Sequence, residues 1–276
     1  MLPNLPNLHI LPLPSLILHE DHDKQRTLPL VEKLRAQGIL RNPPIVMPLD
    51  DGSGRYMVLD GANRVTSLQE MDFPHIVAQV VERGDPNVAL MTWNHVVWGM
   101  SVRDLIAGIR DVVGIKLMPI DRNDPNRPEI DCVPVLLQLA DERTYLACTT
   151  ENPLQQVAYL HGIVDTYKDR AFLDRTSEQD VTAFNEVYKD LTALVIFPHF
   201  ENDTILNLAG QGCMLPTGIT RFTVSPRALH LNYPLHELSS AKPIEYKEAY
   251  LQRWVQERVK NKGIRYYAEE TFLFDE

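Results

Sequence analysis

A chain of 276 residues, 44% hydrophobic and 23% charged, is an ordinary globular sequence, long enough for one large domain or two smaller ones. Its formal charge of −10, with no Lys/Arg-rich run, argues against a nucleic-acid partner, because gripping phosphates requires clustered cations. No stretch approaches the roughly 18 consecutive apolar residues of a membrane span. The three widely spaced cysteines, Cys132, Cys148 and Cys213, fit neither a disulfide framework nor a zinc site and read as buried thiols of a reducing compartment. The expected location is cytoplasmic, away from membrane; oligomeric state is left open.

Residues 1–14 are apolar but broken by prolines and read as an extended arm. Residues 15–19 read as a strand, followed by the abruptly polar Glu20-Asp21-His22-Asp23, which is either a solvated loop or one side of a site. Apolar residues at 28, 30, 31 and 34 predict a helix over 27–37, stopped by Gly38. The loop Asn42-Pro43-Pro44 leads into a strand at 45–47, residues 51–54 form a hairpin turn, and 55–59 is the returning strand. That strand delivers Asp60-Gly61-Ala62-Asn63-Arg64, a tight turn opening a helix whose inward stripe is Val65, Leu68 and Met71. Unpaired N–H groups and the helix macrodipole make such a start a cradle for phosphate, and Arg64 adds a planar cation. The plainer alternative is that Asp60 merely caps the helix.

A strand at 76–81 precedes 82–87, which reads as the exit from the first domain. Residues 90–100, with Trp93, His95, Val96 and Val97, carry a helical reading. Residues 101–113 form a second helix with Ser101 as N-cap, and 116–128 a polar surface loop. A hairpin is expected over 131–149 around Asp141, amphipathic helices over 154–167 and 180–192, and a strand at 194–197. The glycine-rich 210–222 ends in Thr220-Arg221-Phe222, which offers a hydroxyl and a guanidinium side by side, or simply feeds a strand at 221–224. A helix over 244–260 and an acidic, aromatic tail from 266 close the chain. The alternation of strands and helices argues for a second α/β layer.

Strand, polar loop, helix, Gly38-Ile-Leu-Arg-Asn42-Pro43-Pro44, hairpin and then Asp60-Gly61-Ala62-Asn63-Arg64 resembles the ParB/sulfiredoxin-like nucleotide-binding domain over about residues 15–85. Within that superfamily the chain is most similar to the free-serine kinases. Its turn reads Asp-Gly-x-x-Arg, whereas partition proteins carry a Gly-Glu-Arg-Arg run, and the first 131 residues hold no Cys for sulfiredoxin chemistry. The resemblance implies an α/β (α+β) protein with a ParB/sulfiredoxin-like domain over 1–88 and a second α/β domain over 89–276 that completes a cleft. It implies transfer of a phosphoryl group from ATP or ADP to the hydroxyl of L-serine, giving O-phospho-L-serine.

On that resemblance Glu20 is the general base for the serine hydroxyl, a weak nucleophile until a carboxylate takes its proton. Asn42, Pro43, Asp60, Gly61, Ala62, Asn63 and Arg64 would hold the nucleotide phosphates, with Asp60 also a ligand of Mg²⁺. Trp93 and His95 would wall and contact the serine, and Thr220 and Arg221 would complete the acceptor pocket; Phe222 stands where the family carries a histidine. Two alternatives remain at this stage: a nucleotide-gated ParB-like DNA-binding regulator, and a metal-dependent hydrolase gathering Glu20, Asp21, Asp23 and Asp60.

Overall fold

The computed structural model describes residues 5–22, 24–121, 133–149 and 152–267. Asp23, the arm before residue 5, the end of the expected 116–128 loop, Cys132 and the tail from 268 lie outside the described residues. The chain divides into two compact units, one of residues 1–16, 24–87 and 224–276, the other of 17–23 and 88–223. The single boundary expected near residue 88 is thus one of several crossings: 17–23 belong with the second unit, and everything after 223 returns to the first.

In the first unit the proline-punctuated arm is a strand, Leu8–Pro12, antiparallel to His75–Val80, which runs parallel to Ile45–Pro48, itself antiparallel to Tyr56–Asp60. Pro12 ends its strand, at an edge where the missing N–H leaves no ladder bond unmade. Val46, Met47, Met57, Val58, Ile76 and Val77 are all but inaccessible and form the core beneath the helices. Helix Lys24–Gln37 packs on helix Ala62–Glu70, and Ile244–Lys260 lies on Leu8–Pro12, where Glu248 accepts the Ile10 N–H at 2.7 Å.

The second unit is built on a six-stranded antiparallel sheet in the order Phe172–Thr176, Asn94–Trp98, Leu191–Ile196, Val133–Leu139, Thr144–Thr149, Lys116–Ile120. Val102–Asp111, capped by the Ser101 hydroxyl, packs with it and against Pro153–Asp165, while Thr220–Val224 pairs with Val88–Thr92.

Four expectations are corrected here. Residues 90–100 are not helical: Val88–Thr92 and Asn94–Trp98 are strands, the latter central and buried from Asn94 through Val97. A strand covered on both faces loses its alternation, and periodicity cannot then separate it from a buried helix. The expected helix over 180–192 is one 3₁₀ turn, Val181–Phe184, and the start of strand Leu191–Ile196; the Val181 N–H is claimed by the buried Gln138 amide at 2.9 Å. Residues 116–120 of the expected loop are an edge strand, where Pro119 is tolerated. Strand Phe172–Thr176 and helix Asn202–Gly210 carried no sequence signal strong enough to be assigned. Cys148 is disulfide-bonded, which corrects the reading of all three cysteines as thiols, and Cys213 is free and half-buried. No described helix is long and apolar enough to cross a membrane.

Candidate active site

The Asp60 turn is made by the first unit. Strand Tyr56–Asp60 buries its three central residues and leaves Asp60 at its end. Gly61 then takes a φ of +98°, and helix Ala62–Glu70 begins with no side chain capping it. Glycine is demanded twice over, by the left-handed backbone and by space: a Cβ would lie 2.7 Å from Arg64 Nη2 and 2.9 Å from Pro44 Cβ. The Asn42-Pro43-Pro44 loop and the Arg64 guanidinium therefore close on the glycine from two directions, with Pro43 and Pro44 buried. Ala62 and Asn63 complete the half-buried first turn.

Asp60 is not a helix cap. Its Oδ2 accepts from Arg64 Nη2 at 3.1 Å and also from Arg227 Nη2. Burial pushes the Asp60 carboxyl up, but the guanidiniums of Arg64 and Arg227 outweigh it and hold it below the ordinary carboxylate range. Arg64 Nε is buried with no hydrogen-bond partner, a donor left without an acceptor. Arg227 was not foreseen, because nothing in its neighbourhood marks a site. It is aimed by Gln79, a buried side chain of strand His75–Val80 whose amide donates to Pro226 O at 2.8 Å and accepts the Ala228 N–H at 2.9 Å. Asn42 Oδ1 accepts the His230 N–H at 2.8 Å, so this side chain staples the same returning segment.

The second unit assembles the Glu20 loop. His19 O accepts the Leu215 N–H at 2.8 Å and Leu215 O accepts the Asp21 N–H at 2.9 Å, a parallel bridge that lays Glu20 against 215–220. The Thr217 hydroxyl adds a bond to Asp21 O at 2.6 Å. Glu20 Oε2 accepts the Gly218 N–H at 2.8 Å, while Oε1 accepts the Thr220 N–H at 2.6 Å and the Thr220 hydroxyl. The buried His19 holds that hydroxyl from behind, Nε2 to Oγ1 at 2.8 Å. The carboxylate is thus fixed in orientation, with Oε2 the oxygen carrying the single bond.

Trp93 joins the loop through its N–H, given to Ile219 O at 3.0 Å, and the Arg221 guanidinium lies 4.4 Å from the centre of its ring. His95 is fully buried. Its Nδ1 meets the Tyr167 hydroxyl at 2.8 Å and its Nε2 meets Gly218 O at 3.0 Å. Burial drives its pKa down to about 4, against the Gly218 carbonyl bond and aided by the Arg175 charge, so the ring is neutral at pH 7. With both nitrogens engaged, one by Tyr167 and the other by Gly218, His95 props the loop from beneath. Tyr167 and Arg175 escaped the sequence reading, Tyr167 as one aromatic in a helix exit and Arg175 as one charge among many on an exposed strand. Among the described residues no three His, Cys, Asp or Glu gather around a point.

No protein-family model matches the chain. In sequence it is similar to the ATP-dependent L-serine kinase of Staphylothermus marinus, 32% identical over 96 residues, a match spanning 35% of this chain and only 37% of that protein's length. It is also similar to the ATP-dependent L-serine kinase SbnI of Staphylococcus aureus, 24% identical over 282 residues, 98% of each chain. In structure it is similar to C-terminally truncated SbnI from the same organism, with a TM-score of 0.73 at 20% identity over 92% of this chain and 97% of that one. A free serine kinase in complex with AMP gives a TM-score of 0.70 at 14% identity, covering 85% and 95%. The chain therefore has the mixed α+β fold of SbnI and of the free serine kinases.

Proposed function

We propose that this protein is a free L-serine kinase that transfers the terminal phosphoryl group of ATP to the serine hydroxyl, yielding O-phospho-L-serine and ADP. The observation that carries the reading is the Glu20 carboxylate, held by the Gly218 N–H, the Thr220 N–H and the Thr220 hydroxyl so that Oε2 has room for one more donor. A substrate hydroxyl is that donor. As its oxygen attacks the γ-phosphorus and the bond to the β-phosphate oxygen breaks, its proton passes to Oε2. Thr220 and Arg221 line the acceptor side, Trp93 walls it, and His95 acts through the loop it supports.

The Asp60 turn is the nucleotide side of the proposal. The uncapped start of helix Ala62–Glu70, the unpartnered Arg64 Nε and the two guanidiniums present donors of the kind that suit phosphate oxygens. Asn42 and Pro43 shape the turn from the side. Asp60 is a single carboxylate whose Oδ2 already serves two arginines, which fits the sort of Mg²⁺ site made mainly of phosphate oxygens and water with one protein oxygen added. When bound there, Mg²⁺ would offset charge on the transferring group.

Phosphorus NMR of the protein with Mg²⁺, L-serine and either ATP or ADP tests the reading and identifies the donor. A new phosphomonoester signal, lost in Glu20→Gln, is expected; intact nucleotide with serine present would sink it. Nucleotide-gated DNA binding would then come forward, although the charge of −10 opposes it. We place the enzyme in the cytoplasm, where its nucleotide donor is abundant.

A further inference from the structure

Arg175 stands apart from the other arginines of the two sites. Arg64 and Arg227 share the Asp60 carboxylate and Arg221 lies on Trp93, whereas Arg175 forms no ion pair or hydrogen bond with any described residue. It is nonetheless held in place. Arg175 is paired directly with His95 across neighbouring strands, so both side chains rise on the same face, the one on which His95 reaches Gly218. There the guanidinium lies flat against Gly218: a Cβ at that residue would sit 2.1 Å from Arg175 Nε and 2.4 Å from Nη2, and the φ of +76° is of the kind that glycine tolerates. The same Gly218 gives its N–H to Glu20 Oε2 at 2.8 Å. Asp174, the adjacent residue on the strand, faces the other way and accepts from the Tyr188 hydroxyl at 2.7 Å, so it offers Arg175 no partner.

We infer that Arg175 receives the α-carboxylate of the amino-acid substrate and so makes the Glu20 site selective for free amino acids over neutral hydroxy compounds. This rests on the serine-kinase reading above. In serine the hydroxyl and the carboxylate stand on adjacent carbons, so a receptor for the carboxylate must lie next to the base. Arg175 is the exposed, uncommitted cation that does so, and its planar fork matches a carboxylate in two-point contact. Gly218 is what lets the fork approach: any larger residue would fill the space it occupies.

The test compares Arg175→Gln and Arg175→Lys with the wild type on L-serine and on L-serinamide, which keeps the hydroxyl and amine and lacks the carboxylate charge. Losing a charge-assisted contact predicts a drop of about 10- to 100-fold in kcat/KM for L-serine, carried by KM, with Arg175→Lys in between. The wild-type preference for L-serine over L-serinamide should collapse toward unity in Arg175→Gln. A merely structural arginine would lower both substrates by one factor and leave the preference intact, and that result, or an unchanged KM for L-serine, overturns the inference. Calorimetric binding of L-serine without nucleotide separates the two readings. Binding weakened by Arg175→Gln in a wild type that makes no phosphoserine would remove the kinase and keep the carboxylate receptor. Binding indifferent to Arg175, or no binding by the wild type, removes the receptor.

Discussion

The Asp60 turn takes most of its parts from a run of five residues, Asp60 to Arg64, with Arg227 added from the returning segment. The Glu20 loop has no such run. Its carboxylate is held by backbone groups 198 and 200 positions away, and the loop that carries those groups is supported by His95 from another strand, itself held by Tyr167. The first kind of site is encoded locally and can be damaged by one backbone change. The second is a product of folding, and a residue that touches no substrate can set its geometry.

The largest expected effect separates the two functions. Glu20→Gln should cost about 10²- to 10⁴-fold in kcat, the usual worth of a general base, while ATP affinity measured by calorimetry stays within a few fold. A matched loss of ATP affinity would break the division of labour between the two regions. The amide's NH₂ faces the Gly218 or Thr220 N–H, so a melting curve accompanies the kinetics.

Next in size is an acid sensitivity lodged in the Glu20 loop. The unfolded chain protonates His95 near its ordinary pKa of about 6.5, whereas the native ring, its pKa lowered to about 4, refuses the proton until then. Its contribution is therefore complete above about pH 6.5 and is lost as the pH falls toward 4, in all about 3 kcal/mol at roughly 1.4 kcal/mol per pKa unit. Urea unfolding between pH 7.5 and 4.5 should show that slope in the wild type and a flatter one in His95→Gln. Equal slopes would mean that His95 is not the buried neutral ring described.

Gly61→Ala should act on the other region. The left-handed φ costs an alanine about 1–2 kcal/mol, and its Cβ would push on Arg64 and Pro44. ATP binding should weaken while L-serine binding is spared, and the reverse order would contradict the assignment of the turn. Smallest is Arg227→Gln. As an exposed partner of Asp60 it should lower ATP affinity by about tenfold at most, with a weaker salt dependence than the wild type, both read by titration at two ionic strengths.

Much of the first unit was legible because its signals are local: Gly38 ending a helix, the hairpin turn at 51–54, and Asp60-Gly61 between a buried strand and an amphipathic helix. Helix Ile244–Lys260 was read with its observed bounds, yet nothing in its sequence says that it belongs with the first unit. The second unit was read less well. Asn94–Trp98 is buried on both faces and shows no alternation, and Val181, Phe184 and Tyr188 turn inward without forming an α-helix, the Val181 N–H going to Gln138.

By itself the sequence determined the Asp60 turn, since a left-handed glycine followed by a helix start and a cation depends on neighbouring residues and on local backbone sterics. It also marked Glu20, Trp93, Thr220 and Arg221 as residues of interest, through resemblance. Only the tertiary structure decided what those residues do for one another: that Glu20 is clamped by Gly218 and Thr220, that His95 is a neutral prop, and that Arg175 lies on Gly218 with its charge uncommitted. Hydrogen bonds and desolvation between distant segments exist only once the chain has closed on itself, and no local pattern records them.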